Sequence, residues 1–184
     1  MKHIETLSIF ACLLVVVSAV DTAAESPQPN IVFITADDMN FDSAGVYGCS
    51  VEDLTPNLDC LAREGMCFRY AYSTVTVCQP VRQTMHCGLY PHRSGSVGNG
   101  HPIKPQVVTL NERLHEAGYL ISMMGKLPHY QPESKFCLDF KVTGRVEGIQ
   151  VNRSAEIMGD KTREFFAMAK EQGKPFFHNV NLSD

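Results

Sequence analysis

The run Asn30-Ile31-Val32-Phe33-Ile34-Thr35 constrains the fold more than any other stretch of the chain. It is short, continuous and rich in β-branched residues, the pattern of a parallel strand buried on both faces. Tyr119 to Met124 and Phe176 to Val180 are further apolar runs of strand length, and helical stretches lie between them. Thr55 and Pro56 open one helix that Gly65 closes. Thr109 and Glu112 form a capping-box pattern ahead of Leu114 and Ala117, stopped by Gly118. From Arg153 to Gln172, Phe165, Phe166 and Ala169 share one stripe before Gly173 and Pro175 end the pattern. Met66 to Tyr72 reads as extended, and Gly88 to Pro105 as loop. Strands alternating with helices predict an α/β fold with a mostly parallel sheet flanked by helices.

In an open sheet of that kind, ligands bind outside the carboxyl ends of the strands. The first run leaves the sheet through Ala36-Asp37-Asp38. Two adjacent carboxylates repel each other, and a hard cation such as calcium relieves the repulsion. The competing reading is an Asp-Asp turn in which one side chain caps the next element. The Tyr119–Met124 run leaves through Gly125-Lys126-Leu127-Pro128-His129, so a lysine and a histidine emerge at a second strand exit, with ordinary surface residues as the alternative. Val77-Cys78-Gln79-Pro80-Val81-Arg82 reads as a helix start, because proline suits the first turn. Cys78 then sits at the helix mouth, where free N–H groups and the dipole favour an anion. Arg82, about one turn further on, can point its guanidinium back to the same place. His101 lies in the following loop and reads as a solvated residue.

The 184 residues are 44% hydrophobic, enough for a single domain with a real core. A net charge of −4 without a lysine or arginine run excludes a nucleic-acid footprint and a basic arm for anionic membranes. Residues 1–24 have the order of a secretory signal: Lys2 and His3, an apolar run from Ile9 to Val20, then Thr22-Ala23-Ala24. The run is short for a membrane span, so no stable insertion is expected, an uncleaved anchor being the alternative. Residues 25–184 then form the mature chain, with a secreted, periplasmic or lysosomal (lumenal) location. Six cysteines follow the signal, and none forms a tight C-x-x-C pair, which argues against a zinc knuckle. Export permits disulfides, whose pairing stays open; reserving Cys78 for chemistry leaves an odd number. Asn152 and Asn181 begin Asn-x-Ser sequons.

Four stretches, in order, carry a resemblance: Pro29 to Asp38, Thr55-Pro56-Asn57-Leu58, Cys78-Gln79-Pro80-Val81-Arg82, and Gly118-Tyr119 through Gly125-Lys126 and His129. The chain resembles the N-terminal part of the type I sulfatases, within the alkaline-phosphatase-like superfamily. Gly125 to Pro132 is similar to the branch that includes iduronate-2-sulfatase. The resemblance implies an alkaline-phosphatase-like sheet, incomplete at the C-terminus, and a hydrolase of sulfuric esters. It implies that Cys78 is oxidised during export by the formylglycine-generating enzyme, and that the formylglycine hydrate is the nucleophile. Asp37 and Asp38 match ligands of one calcium ion, with residue 78 beside them at the metal. Arg82 matches the residue that steadies nucleophile and metal. Lys126 and His129 match groups that bind the sulfate and assist the leaving oxygen. The implied substrate is a sulfated small molecule or glycan.

The chain departs from the family pattern at Val81, where relatives carry a small residue, and at His86-Cys87, where they carry an apolar residue and threonine. Lys126 and His129 are separated by two residues, against one in many relatives. The family's catalytic domain is also longer, with its remaining calcium ligands further along, so a fragment or truncated product of little activity is expected. Two other readings compete: a phosphodiesterase or phosphonate hydrolase of the same superfamily, and an inactive fragment that only binds a partner.

Overall fold

The computed structural model describes residues 28–183, and the signal-peptide segment 1–24 lies outside them. In chain order the elements are strand β1 (Ile31–Ala36), helices α1 (Pro56–Glu64), α2 (Cys78–Cys87), α3 (Pro91–Ser94) and α4 (Leu110–Glu116), and strand β2 (Leu120–Met124). Then follow β3 (Phe140–Val142), β4 (Arg145–Val146), β5 (Ile149–Gln150), helix α5 (Ala155–Gln172) and β6 (Phe176–Leu182). β1, β6, β2 and β3 pair in that order, all parallel, while β4 and β5 make a separate antiparallel ribbon.

Alternate residues of each strand face opposite layers. On one face Leu120 and Phe176 pack against Phe165 and Ala169 of α5, and Met124 and Val180 against Met158. His178 lies on this face too, fully buried, with Nδ1 2.9 Å from Ser122 Oγ and Nε2 3.0 Å from Thr162 Oγ1 of α5. The opposite face presents Ile31, Phe33, Ile121 and Phe177, packed with Leu114 of α4. Asn179 and Asn181 share that face and meet α2. The helix signals act as read: Thr109 Oγ1 accepts from the Glu112 N–H at 3.1 Å, and a Glu112 carboxylate oxygen accepts from the Thr109 N–H at 2.8 Å.

Four expectations need correction. β1 is the edge of the sheet and not a strand buried on both faces: Val32 and Ile34 are 48% and 57% exposed. They lie on the α5 side, and α5 packs over β2 and β6 without covering them. The buried strands are β2, from Leu120 to Met124, and β6, from Phe176 to Asn181. Met66 to Tyr72 is an exposed segment without strand pairing, and the expected loop from Gly88 contains the short helix α3. The last helix begins after a turn at Val151–Arg153, where Ser154 Oγ accepts from the Ile157 N–H at 3.2 Å. No helix among the described residues is long and apolar enough to cross a membrane.

Candidate active site

Asp37 leaves β1 already tied to β6, its backbone N–H donating to Leu182 O at 2.9 Å. Its Oδ1 accepts from Arg82 Nη2 at 2.8 Å, and its Oδ2 is ion-paired with Lys126 and accepts from Ser183 Oγ at 3.3 Å. Burial by itself would push this carboxyl up, but hydrogen bonds from Lys126 and Arg82, and their charges, outweigh burial and hold it below the ordinary carboxylate range. Arg82 is only 5% exposed and also donates to Thr35 Oγ1, at 2.8 Å, and to Asn181 Oδ1. Desolvation works against its charge, and Tyr130 and Asp37 more than compensate, so the guanidinium stays charged.

Cys78 opens α2 as its first residue, with Val77 extended before it and Pro80 in the first turn. Two contacts already engage groups at the helix mouth where an anion was expected. Arg82 reaches Asp37 at the strand exit. The Gln79 N–H donates to Asn99 Oδ1 at 3.2 Å. The Gln79 side chain fastens the same loop, donating to His101 O at 2.9 Å and accepting from the Gly100 N–H at 2.7 Å.

Two of the five non-glycine residues with positive φ among the described residues lie here. Asp38 has φ +56° and Lys126 φ +53°. Lys126 follows Gly125, whose φ is +71° and where a Cβ would meet Asn181 O at 2.5 Å and Asn152 Cβ at 2.8 Å. Only glycine fits that turn, and the turn delivers the Lys126 ammonium to Asp37.

Asp37, Asp38, Cys78 and Arg82, with Thr35 and Thr76, line one cavity of about 330 Å³. Lys126 and His129 line a neighbouring cavity of about 340 Å³, with Thr143, Gln150 and Asn152. The Lys126–Asp37 pair joins the two spaces; His129 is not brought into the first. Burial, then the positive charges of Lys126 and Arg82, keep the His129 imidazole below its ordinary pKa, so it is neutral at pH 7. Asp37 and Asp38 offer hard oxygen donors of the kind calcium takes, so the donor chemistry fits that ion. Calcium takes roughly six to eight oxygens, and no group of three or more His, Cys, Asp or Glu side chains converges among the described residues. By themselves these two carboxylates fall short of a full calcium shell.

Sequence reasoning missed Asn181 and Tyr130. Tyr130 OH donates to Asn181 Oδ1 at 2.7 Å, and Asn181 Nδ2 donates to Met124 O and Gly125 O at 3.0 and 3.3 Å. A polar residue at the carboxyl end of an apolar strand was the available signal, and the sequon at Asn181 masked it. Both sequon asparagines are buried, Asn181 completely. Cys49, Cys60, Cys67, Cys78, Cys87 and Cys137 are all free thiols. His86, noted as a departure, is buried, with Nδ1 2.6 Å from Asn111 Oδ1 and Nε2 3.1 Å from Asn179 Nδ2. Burial, offset in part by Asn111 and reinforced by the Arg82 charge, lowers its pKa to about 4.

A family model described as Sulfatase matches residues 29–182. The chain belongs to the sulfatase family. It is 39% identical over 129 residues to N-acetylgalactosamine-6-sulfatase of Canis lupus familiaris, covering 62% of this chain and 24% of that protein. It is 30% identical over 161 residues to N-sulphoglucosamine sulphohydrolase of Homo sapiens, covering 84% of this chain and 31% of the relative. The sulfatase chain thus spans about a quarter to a third of the length of these curated relatives, which do not single out the iduronate branch. Two solved structures share the fold. One, a complex with its substrate D-glucosamine-2-N,6-O-disulfate, superposes with a TM-score of 0.71 at 24% identity, over 84% of this chain and 34% of that one. The other, a phosphonate monoester hydrolase of Agrobacterium radiobacter, gives 0.64 at 19% identity, over 84% and 40%.

Proposed function

We propose that this chain carries the nucleophile side of a sulfatase active site, and that the protein hydrolyses sulfate esters of a sugar or other small alcohol. The observation that carries the reading is the convergence of Cys78, Asp37, Asp38 and Arg82 on one cavity, with Lys126 reaching it through Asp37. Residue 78 would be formylglycine, formed during export by the formylglycine-generating enzyme; its hydrated aldehyde supplies a hydroxyl nucleophile that is regenerated each cycle. Asp37 and Asp38, with residue 78, would hold one calcium ion, which supplies Lewis-acid polarisation of sulfate oxygens.

The chain's own groups have separable tasks. Arg82 fixes the Asp37 carboxylate and keeps a permanent positive charge against the cavity, favouring a bound sulfate. Lys126 carries the second charge and is the group able to give a proton to the departing alkoxide. His129, neutral and with Nδ1 buried without a partner, offers a hydrogen bond in place of a charge. The names of the relatives point to sulfated amino sugars as a substrate class, and export to a secreted, periplasmic or lumenal location agrees with the leading segment.

Turnover of an aryl sulfate against the matching aryl phosphate, measured on the product of the full gene with and without a chelator, tests the reading. Preferred, chelator-sensitive sulfate release is expected. Preferred phosphate turnover with an unmodified Cys78 would replace it with the phosphodiesterase or phosphonate hydrolase alternative.

A further inference from the structure

One carboxamide ties both cations of the site to the sheet. Asn181 stands near the end of β6, completely buried. Its Oδ1 accepts from Arg82 Nη1, from Thr35 Oγ1 at 2.8 Å and from Tyr130 OH at 2.7 Å. Its Nδ2 donates to Met124 O and Gly125 O, the two carbonyls directly before Lys126. The exits of β1, β2 and β6 and the guanidinium of α2 are thus held by a single side chain. Tyr130 holds the carboxamide from the other side. Its hydroxyl accepts from Asn179 Nδ2 at 3.3 Å, and the same Asn179 nitrogen lies 3.1 Å from His86 Nε2. The Tyr130 ring packs edge-on against His86 and Phe136, at centroid distances of 5.2 Å for each.

We propose that Asn181 is a positioning residue, braced by Tyr130, that sets the distance and direction of both Arg82 and Lys126 at the cavity. The role in catalysis rests on the sulfatase reading above; the positioning itself does not. Asparagine suits the task because it accepts and donates at once: its oxygen takes the guanidinium, the hydroxyl of Thr35 and the phenol, and its nitrogen takes two carbonyls. A leucine of similar volume would leave Met124 O, Gly125 O and the buried arginine short of partners. The role also accounts for the sequon: a glycan on Asn181 would consume the nitrogen that grips the Lys126 turn, so this asparagine is spent on structure.

The test compares the full-length gene product with its Asn181→Ala and Tyr130→Phe variants by two readouts. The first is the acetylation rate of Lys126 by acetic anhydride, read by peptide mass spectrometry against exposed Lys174 in the same molecule. In the parent chain the Asp37 pair protects Lys126; Asn181→Ala raises its rate about tenfold, as expected for losing hydrogen bonds around a charged group, and Tyr130→Phe raises it about threefold. The Lys174 rate stays constant in each. The second readout is aryl sulfate turnover: kcat falls about tenfold or more in Asn181→Ala while KM moves less than about threefold. An unchanged Lys126 rate in folded Asn181→Ala overturns the proposal. If Asn181→Ala does not fold, Tyr130→Phe decides: a raised Lys126 rate supports the proposal and an unchanged one overturns it. A raised rate in a chain that releases no sulfate keeps the positioning role and removes the sulfatase reading instead.

Discussion

Acid should unfold this chain through its buried histidines, well before its carboxylates protonate. His86 and His178 are both completely or almost completely buried, and each has a pKa near 4 against an ordinary 6.5. A depressed histidine pKa means that the fold holds the neutral ring, while the unfolded chain takes up a proton as soon as pH drops below 6.5. Stability is therefore complete above pH 6.5 and declines as pH falls toward 4. Each ring contributes a slope of about 1.4 kcal/mol per pH unit, hence about 3.4 kcal/mol across the interval and about 7 kcal/mol for the pair. That is comparable to the whole stability of an ordinary domain, about 5–15 kcal/mol. His129, held below its ordinary pKa by burial, Lys126 and Arg82, acts in the same direction. Asp37 and Glu112, whose carboxyls are held low, lose their contribution only below their ordinary values of 3.8 and 4.5. Urea melts followed by circular dichroism at pH 7.5, 6.5, 5.5 and 4.5 measure the slope, and His178→Phe, placed among Phe165, Phe166 and Phe176, should remove close to half of it. A flat unfolding free energy from pH 6.5 to 4.5, or an undiminished slope in the His86→Leu/His178→Phe double variant, would refute the reasoning.

Gly125→Ala should destabilise the chain by about 2–4 kcal/mol, because its Cβ collides with the Asn181 carbonyl in a left-handed turn; the urea midpoint reads this. Asp37→Asn removes the charge shared by Arg82 and Lys126, costing about 3 kcal/mol, and should abolish calcium binding in titration calorimetry of the full-length protein.

The legible part of the fold was the set of elements with strong local signals. Capped and glycine-stopped helices and continuous apolar runs declare themselves within a dozen residues, and the parallel sheet follows from their alternation. The edge position of β1 did not show, because Val32 and Ile34 read the same whether or not a neighbour covers them. Asp37, Asp38 and Lys126 stood out as candidates because they follow strand ends where ligands gather, and Cys78 and Arg82 because they sit in the first turns of a proline-started helix. Their pairing was not: the expected anion for Arg82 is the Asp37 carboxylate itself, a contact across 45 positions of sequence that local pattern does not encode. His129 follows Lys126 by one turn and lines the same adjoining cavity, but only Lys126 reaches back to the first, through its pair with Asp37. Asn181 and Tyr130 carried no chemistry by residue type, and only their position, beneath the two cations, gives them any.

Residue 78 decides the matter most directly. Mass spectrometry of the tryptic peptide Tyr70–Arg82, from the chain secreted by a host that converts a control sulfatase, reads its side chain without any assumption about substrate. An aldehyde or its hydrate at position 78 is the predicted result. A thiol at that position, beside a fully converted control, would contradict the proposal that Cys78 becomes the nucleophile of a sulfatase.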